Sequence, residues 1–185
     1  KTNRELRQFD CIQAPCVDTC PTNQDIPEYM YYTSSGDFQK AYDVIMRTNP
    51  FPNVLGMVCD HLCQSKCTRT NYDDALLIRD VKRFIADQTN TDRPFPVRKK
   101  NNLKVAVIGA GPSGLSCAYF LAYAGYEINV YETKNIAGGM ISDAIPAFRL
   151  TEAAIRKDIE RIQNMGVQIH YNAAVGKSDF EALKK

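Results

Sequence analysis

Six of the seven cysteines in this 185-residue chain fall into two groups of three, Cys11-x4-Cys16-x3-Cys20-Pro21 and Cys59-x3-Cys63-x3-Cys67. Deprotonated thiols bind soft metals, and iron–sulfur clusters are held by cysteines on short loops, often with a proline directly after one of them. Structural zinc favours cysteines paired two to four residues apart, and the grouping here is in threes. Spacing therefore favours clusters, with zinc and a metal-free set of buried or oxidisable thiols as the competing readings. Six thiols serve two cubane clusters only if each cluster finds a fourth, non-thiolate ligand. His61, between Cys59 and Cys63, reads as an exposed loop residue, and His170 as a structural one. Cys117, alone in the second half, reads as a small buried apolar side chain.

A second chemistry lies in residues 102–132, NLKVAVIGAGPSGLSCAYFLAYAGYEINVYE. Val105 to Ile108 reads as a buried strand, and Gly109, Gly111 and Gly114 fit the G-x-G-x-x-G turn. The first glycine allows the turn, the second lets backbone approach a pyrophosphate, and the third permits close helix–strand packing. Pro112 suits the first turn of the helix that follows. That helix presents Leu115, Ala118, Tyr119 and Ala122 on one face and stops at Gly125. A strand from Ile128 to Tyr131 then ends on Glu132, about twenty residues beyond the glycines, where an acid accepts hydrogen bonds from a ribose hydroxyl. An acid rather than an arginine there suits FAD or NAD and disfavours a 2′-phosphate. This is a dinucleotide site with strand, glycines, helix, strand and acid in register.

The elements that must position these groups differ between the halves. Before residue 88 the chain reads as short helices and loops: one turn at most around Cys16, and a helix capped by Thr22 or Asn23 that carries Ile26, Tyr29 and Met30. A helix from Asp37 follows, with Phe38, Ala41, Val44 and Ile45 inward, and is stopped by Asn49-Pro50-Phe51-Pro52. The Cys59, Cys63 and Cys67 spacing predicts three thiols on one face of a helical stretch. A last helix starts at Asp73 or Asp74 with Ala75, Leu76, Ile78, Val81, Phe84 and Ile85 as its apolar stripe. Residues 88–101, QTNTDRPFPVRKKN, have linker composition, so the expected domains are 1–98 and 102–185. After Glu132, Gly138-Gly139-Met140 predicts another close approach of backbone to ligand. Residues 145–150 read as an extended segment bearing Arg149. Thr151 caps a helix with Ile155, Ile159, Ile162 and Met165 inward, and Val167 to Tyr171 makes a third strand. The fold class is thus an all-helical cysteine-rich unit, α, followed by the first part of a Rossmann-like parallel α/β domain.

Composition narrows the partners. A net charge of +2 implies no polyanionic partner, so no nucleic acid, and no apolar run reaches membrane-spanning length. Abundant thiols without a secretion signal point to a reducing, cytoplasmic setting. Both ends read as cut from a longer protein.

The segments APCVDTCP, GMVCDHLCQSKC, RFIAD, VIGAGPSGLSCAYFLA, VYETKNIAGGM and IPAFRL together resemble the small (beta) subunit of bacterial glutamate synthase and the N-terminal electron-input region of dihydropyrimidine dehydrogenase, from about Arg4 to Phe180. The wording of Cys59 to Cys63 and of residues 69–80 is more similar to a selenate-reductase branch of that family. The resemblance implies an all-α domain with two [4Fe-4S] clusters, then an FAD domain with an NADPH-binding domain inserted in it. By matching position, Cys11, Cys63 and Cys67 would share one cluster, and Cys16, Cys20 and Cys59 the other. Two positions depart from the family: Gln8 stands where a further cysteine is usual, and Lys82 where an oxygen-bearing ligand is expected. A protonated lysine has no lone pair to offer iron. On the flavin side the resemblance implies that Gly109, Ala110, Gly111, Pro112, Ser113 and Gly114 line the pyrophosphate and that Glu132 holds the ribose. Gly139 and Met140 would lie toward the isoalloxazine, with Arg149 a cofactor contact and Val175 a backbone contact to adenine.

The expected function is an electron-input module. NAD(P)H, bound on chain outside this sequence, reduces FAD, and electrons pass to the clusters and on to a catalytic partner domain or subunit. No acid–base residue is assigned, since the cofactor carries the chemistry; the piece by itself is expected to be inactive. The competing readings are a plain NAD(H)-dependent dehydrogenase and a cluster-free helical docking or assembly domain.

Overall fold

The computed structural model describes residues 14–89 and 98–184, which divide into two compact units, one ending at Thr89 and one made of the residues after it. Gln8, Cys11 and most of the expected linker lie outside the described residues.

The first unit is helical. Its elements are α1 (Pro15–Asp18), α2 (Ile26–Ser34), α3 (Phe38–Met46), α4 (Pro52–Val58), α5 (Leu62–Ser65), a 3₁₀ turn (Thr68–Asn71) and α6 (Ile78–Gln88). Helix α2 is capped by Asp25, whose carboxylate accepts the Glu28 N–H at 3.2 Å, and not by Thr22 or Asn23. Asn23 instead turns the chain at φ 50°, a left-handed value that asparagine tolerates. Asp37 caps α3 as expected. The Pro50–Pro52 region ends α3 and also starts α4, because Pro52 occupies a first-turn position where a missing N–H costs nothing. Helix α4 packs on α6. Gly56 is needed there, since a Cβ would sit 3.0 Å from Arg83 Cβ and 3.1 Å from its Cα.

Helix α6 departs most from its expected form. It begins at Ile78 rather than at Asp73 or Asp74, and it buries Ile78, Lys82, Ile85 and Ala86. Leu76 and Phe84 are exposed; Phe84 meets Phe38 edge-on at 5.2 Å. Tyr29, Tyr42, Ile45, Met46 and Ile85 fill the core.

The second unit holds β1 (Lys104–Ile108), α7 (Pro112–Tyr123), β2 (Glu127–Tyr131), α8 (Met140–Asp143), α9 (Glu152–Asn164), β3 (Gln168–His170) and α10 (Lys177–Leu183). The three strands form one parallel sheet in the order β1-β2-β3, with Val107 opposite Val130 and Val130 opposite Ile169. Helix α7 lies against β1 and β2 and buries Leu115, Ala118, Tyr119 and Ala122. Register puts Val105, Val107, Ile128 and Val130 on one sheet face, where the last three are buried. The opposite face carries Ala106 and Ile108, both exposed, and Tyr131, which stacks on His170 with ring centroids 5.0 Å apart. The expectation of a fully buried β1 is therefore corrected: among the described residues only one face of it is covered.

Three further corrections belong here. Cys117 is exposed, because it lies two residues from Leu115 and so points away from the buried face of α7. Residues 146–150 are a turn and not an extended segment, with the Arg149 N–H donating to Pro146 O at 2.8 Å. Thr151 caps α9 as expected, but Asp158 and Arg161 are buried beside Ile155, Ile159 and Ile162, while Met165 is only half-buried.

Candidate cofactor-binding sites

In the helical unit the cysteines come from separate short segments. Cys16 is in α1, Cys20 follows it, Cys59 ends α4, Cys63 is in α5 and Cys67 precedes the 3₁₀ turn. The expected single helical face for Cys59, Cys63 and Cys67 is not formed. His61 breaks it at φ 43°, a left-handed conformation in which its N–H donates to Cys59 Sγ at 3.5 Å. Helix α1 packs on α5, which gathers the two groups. Helix α6 is pinned to the second by Arg79, whose side chain donates to Cys59 O at 3.3 Å and whose N–H donates to Gln64 Oε1 at 3.2 Å.

The electrostatics follow from this packing. Burial, then the neighbouring thiolates of Cys59 and Cys20, push the Cys63 thiol up to about 11. Burial also raises Cys16. Burial acts upward on Cys20 as well, but the Thr22 hydroxyl, the Gln24 and Thr22 backbone amides and the Lys82 charge together bring it below its ordinary value. Tyr29, almost wholly buried, is raised by burial and then by Cys63, Cys20, Cys16 and Cys59. Lys82 is 7% exposed. Burial lowers its pKa, while the thiolates of Cys59, Cys20 and Cys63 act to raise it. Among the described residues no three His, Cys, Asp or Glu side chains converge on the space of a single metal ion. A polynuclear cluster spans a wider cage than an ion, and thiols on short loops suit three of its four corners, the fourth needing a non-thiolate ligand. Cys11 lies outside the described residues, and Cys67 acts on Cys16.

In the sheet unit the two glycine-rich loops meet. The Gly109 N–H donates to Tyr131 O at 2.8 Å and the Gly138 N–H to Ala110 O at 2.8 Å. Gly139, at φ 54°, approaches so closely that a Cβ on it would lie 3.0 Å from Gly111 Cα. A Cβ on Gly114 would lie 2.0 Å from Gly109 O, whereas Gly109 and Gly111 face open space. Glu132 is buried at the end of β2, with Oε2 accepting the Ala110 N–H at 2.7 Å and Oε1 the Lys134 N–H at 2.9 Å. The Lys134 amide is the main reason its carboxyl titrates below the usual range.

The close approach expected at Gly138-Gly139 is thus one of backbone to backbone. The Ala110 N–H is turned to Glu132 and away from any ligand, and Pro112 has no N–H. Gly111 is the N-cap of helix α7 and supplies no side-chain cap, so first-turn amides of the helix stay available to an anion. Two open glycines ahead of an uncapped twelve-residue helix make a cradle suited to a dinucleotide pyrophosphate.

Met140 is exposed at the start of α8, Arg149 is exposed on its turn, and Val175 is half-buried between β3 and α10. That last loop runs beside Glu132, with the Ala173 N–H donating to Glu132 O at 2.8 Å and the Asn172 N–H to Lys134 O at 3.0 Å. Sequence reasoning missed the Thr22–Cys20 contact and the left-handed His61; the only signal for them was a polar residue beside each cysteine.

Residues 2–93 match the family described as dihydropyrimidine dehydrogenase domain II, 4Fe-4S cluster, and residues 107–152 match the NAD(P)-binding Rossmann-like domain. The chain is 40% identical over 185 residues to NADPH-Fe(3+) oxidoreductase subunit beta of Geobacter sulfurreducens, covering 97% of this chain and 28% of that protein. It is 36% identical to the NADP(+)-dependent formate dehydrogenase subunit beta of Moorella thermoacetica, over 89% of this chain and 27% of that one. A further relative, 36% identical, is the NAD-dependent dihydropyrimidine dehydrogenase subunit PreT of Salmonella typhimurium, over 91% and 42%. The chain therefore spans less than half the length of these relatives. A solved structure, histamine dehydrogenase from Rhizobium sp. 4-9, is similar over 90% of this chain and 22% of its own, with TM-score 0.41 and 17% identity.

Proposed function

The chain belongs to the family of glutamate synthase beta-like oxidoreductase subunits, joining a dihydropyrimidine dehydrogenase domain II 4Fe-4S unit to a Rossmann-like unit, and on that premise we propose that it is the electron-input part of an NAD(P)H-dependent flavin and iron–sulfur oxidoreductase. The dinucleotide held by the sheet unit is FAD. The observation that carries this is the meeting of the two glycine loops: Gly139 lies on Gly111, beside the uncapped start of α7 and the buried Glu132.

The Gly111 and Ser113 region takes the pyrophosphate, Glu132 takes the adenosine ribose, and the segment from Gly139 to Met140 faces the flavin end, with Arg149 and Val175 as further contacts. In the helical unit Cys16, Cys20, Cys59, Cys63 and Cys67, with Cys11, supply thiolates to two [4Fe-4S] clusters. The chemistry that bound FAD would supply there is hydride acceptance and one-electron release. The protein's own share is to bind, exclude water and set potentials through burial and hydrogen bonds, of which His61 N–H to Cys59 Sγ is one. The nicotinamide site and the electron-accepting partner domain or subunit belong to chain beyond this sequence. A cytoplasmic setting, where thiols are kept reduced and available to metal, suits these cysteines. Among the described residues no helix is long and apolar enough to cross a membrane.

The test is anaerobic reconstitution with FAD, iron and sulfide, followed by the visible spectrum and iron and acid-labile sulfide analysis. Flavin bands together with a broad cluster shoulder are expected. Flavin without iron would replace the proposal with a cluster-free helical domain, the reading to which Gln8 and Lys82 in ligand positions point; absence of both chromophores would overturn the proposal.

A further inference from the structure

Lys82 is a buried ionisable side chain of the helical unit to which the proposed function gives no task. It lies on the inward stripe of α6 with Ile78, Ile85 and Ala86, at 7% exposure. Lysine is almost never buried without a compensating partner, because moving an ammonium out of water is costly. The charges that act on it most are thiolates from three segments: Cys59 after α4, Cys20 after α1 and Cys63 in α5. Arg79, one turn earlier on α6, is the opposing cation, and its guanidinium is engaged by Cys59 O. Tyr29, from α2, borders the same thiols as a buried phenol, and Asp25 acts on Cys16. The ammonium has three donors and no acceptor, so while protonated it serves as a charge and not as a ligand.

We propose that Lys82 is a positioning residue for electrons: its ammonium compensates the thiolate charge of Cys20 and Cys59, with Cys63 beside them, and thereby raises the reduction potential of the cluster that Cys16, Cys20 and Cys59 would hold. This rests on the cluster half of the proposed function. Each electron added to a thiolate-held cluster adds negative charge. A buried cation favours that reduced state more than a surface cation does, because the effective dielectric around it is lower. Replacing the cation with an apolar side chain of similar length removes that preference while the volume on the α6 stripe is kept.

The test uses the full chain, reconstituted anaerobically, as wild type, Lys82→Met, Lys82→Leu and Lys82→Arg. Iron and sulfide are measured first, then the midpoint potential by dye-mediated titration with electron paramagnetic resonance detection. Wild type with iron and sulfide, Lys82→Met and Lys82→Leu at least tenfold harder to reduce (about 59 mV for one electron) and Lys82→Arg close to wild type is the expected result. Unchanged potentials in Lys82→Met and Lys82→Leu would overturn the inference and leave the cluster reading standing. If those two variants lose iron while Lys82→Arg keeps it, the cation requirement is supported. Loss from all three assigns Lys82 to packing and overturns the inference. Wild type without iron or sulfide overturns the cluster reading itself.

Discussion

Glu132 and Ala110 are tied across 22 positions of sequence: the carboxylate at the end of β2 accepts the amide of the glycine turn at 2.7 Å. A second oxygen of the same carboxylate takes the Lys134 N–H at 2.9 Å. One side chain therefore closes the first glycine loop and also starts the loop that leads to Gly138 and Gly139. The residue expected to hold a ribose is in place before any ligand arrives.

Because these amides depress the folded-state pKa of Glu132, the carboxylate stabilises the fold at pH above its ordinary value near 4.5. That contribution fades as pH falls through the lower folded value, since protonation removes the charged acceptor. Urea unfolding of wild type and Glu132→Gln across pH 3 to 7 should show a stability gap that is full at neutral pH and narrows with acid. A gap that is constant with pH would contradict the assignment.

The glycines should separate by role. Gly114→Ala drives a Cβ to 2.0 Å from Gly109 O, and a clash with backbone should cost about 2 kcal/mol or more in urea denaturation. Gly111→Ala, at φ −77° with open space around it, should leave stability within about 0.5 kcal/mol. Calorimetry with FAD should nonetheless show Gly111→Ala binding at least tenfold more weakly, as its methyl occupies the cradle.

Asp25→Ala should destabilise the helical unit by about 1 kcal/mol, the usual cost of a lost N-cap, read from the urea midpoint. Thr22→Ala should cost less than half of that, since Thr22 caps no helix. Equal losses would return the cap to the position that the local sequence suggests.

Thiol alkylation of the apo protein at pH 7.5, read by mass spectrometry of digests, should label Cys117 and Cys20 well before Cys63. Cys117 is exposed and Cys20 titrates below its ordinary value, while Cys63 is buried and pushed up to about 11. The thiolate is the reacting form, so the order follows its abundance and exposure.

Much of this protein is written in short-range pattern. The G-x-G-x-x-G turn, the apolar face of α7, the acid at 132 and the caps Asp37 and Thr151 each depend on residues within a few positions of one another, so they are legible without a fold. The cysteine spacing likewise named thiolate chemistry. What local pattern misjudged was burial, and the shape of a segment wherever one residue breaks its period. Four-residue spacing put Cys59, Cys63 and Cys67 on one helix, but a left-handed His61 distributes them over separate segments. An apolar run suggested that β1 is buried, yet Ile108 is 53% exposed because α7 covers the other sheet face. Cys117 reversed in the same way. Lys82 could be seen to depart from its family, but only the packing of α6 on α3 and α4 puts it inside, where Cys59, Cys20 and Cys63 act on it. The paired glycines at 138 and 139 announced a close approach; that the other party is the backbone of Gly111 is a long-range fact. Periodicity reports which side of an element is apolar, and burial depends on which sides meet, so the ligand-binding signature belonged to the sequence and the environment of its charges to the tertiary structure.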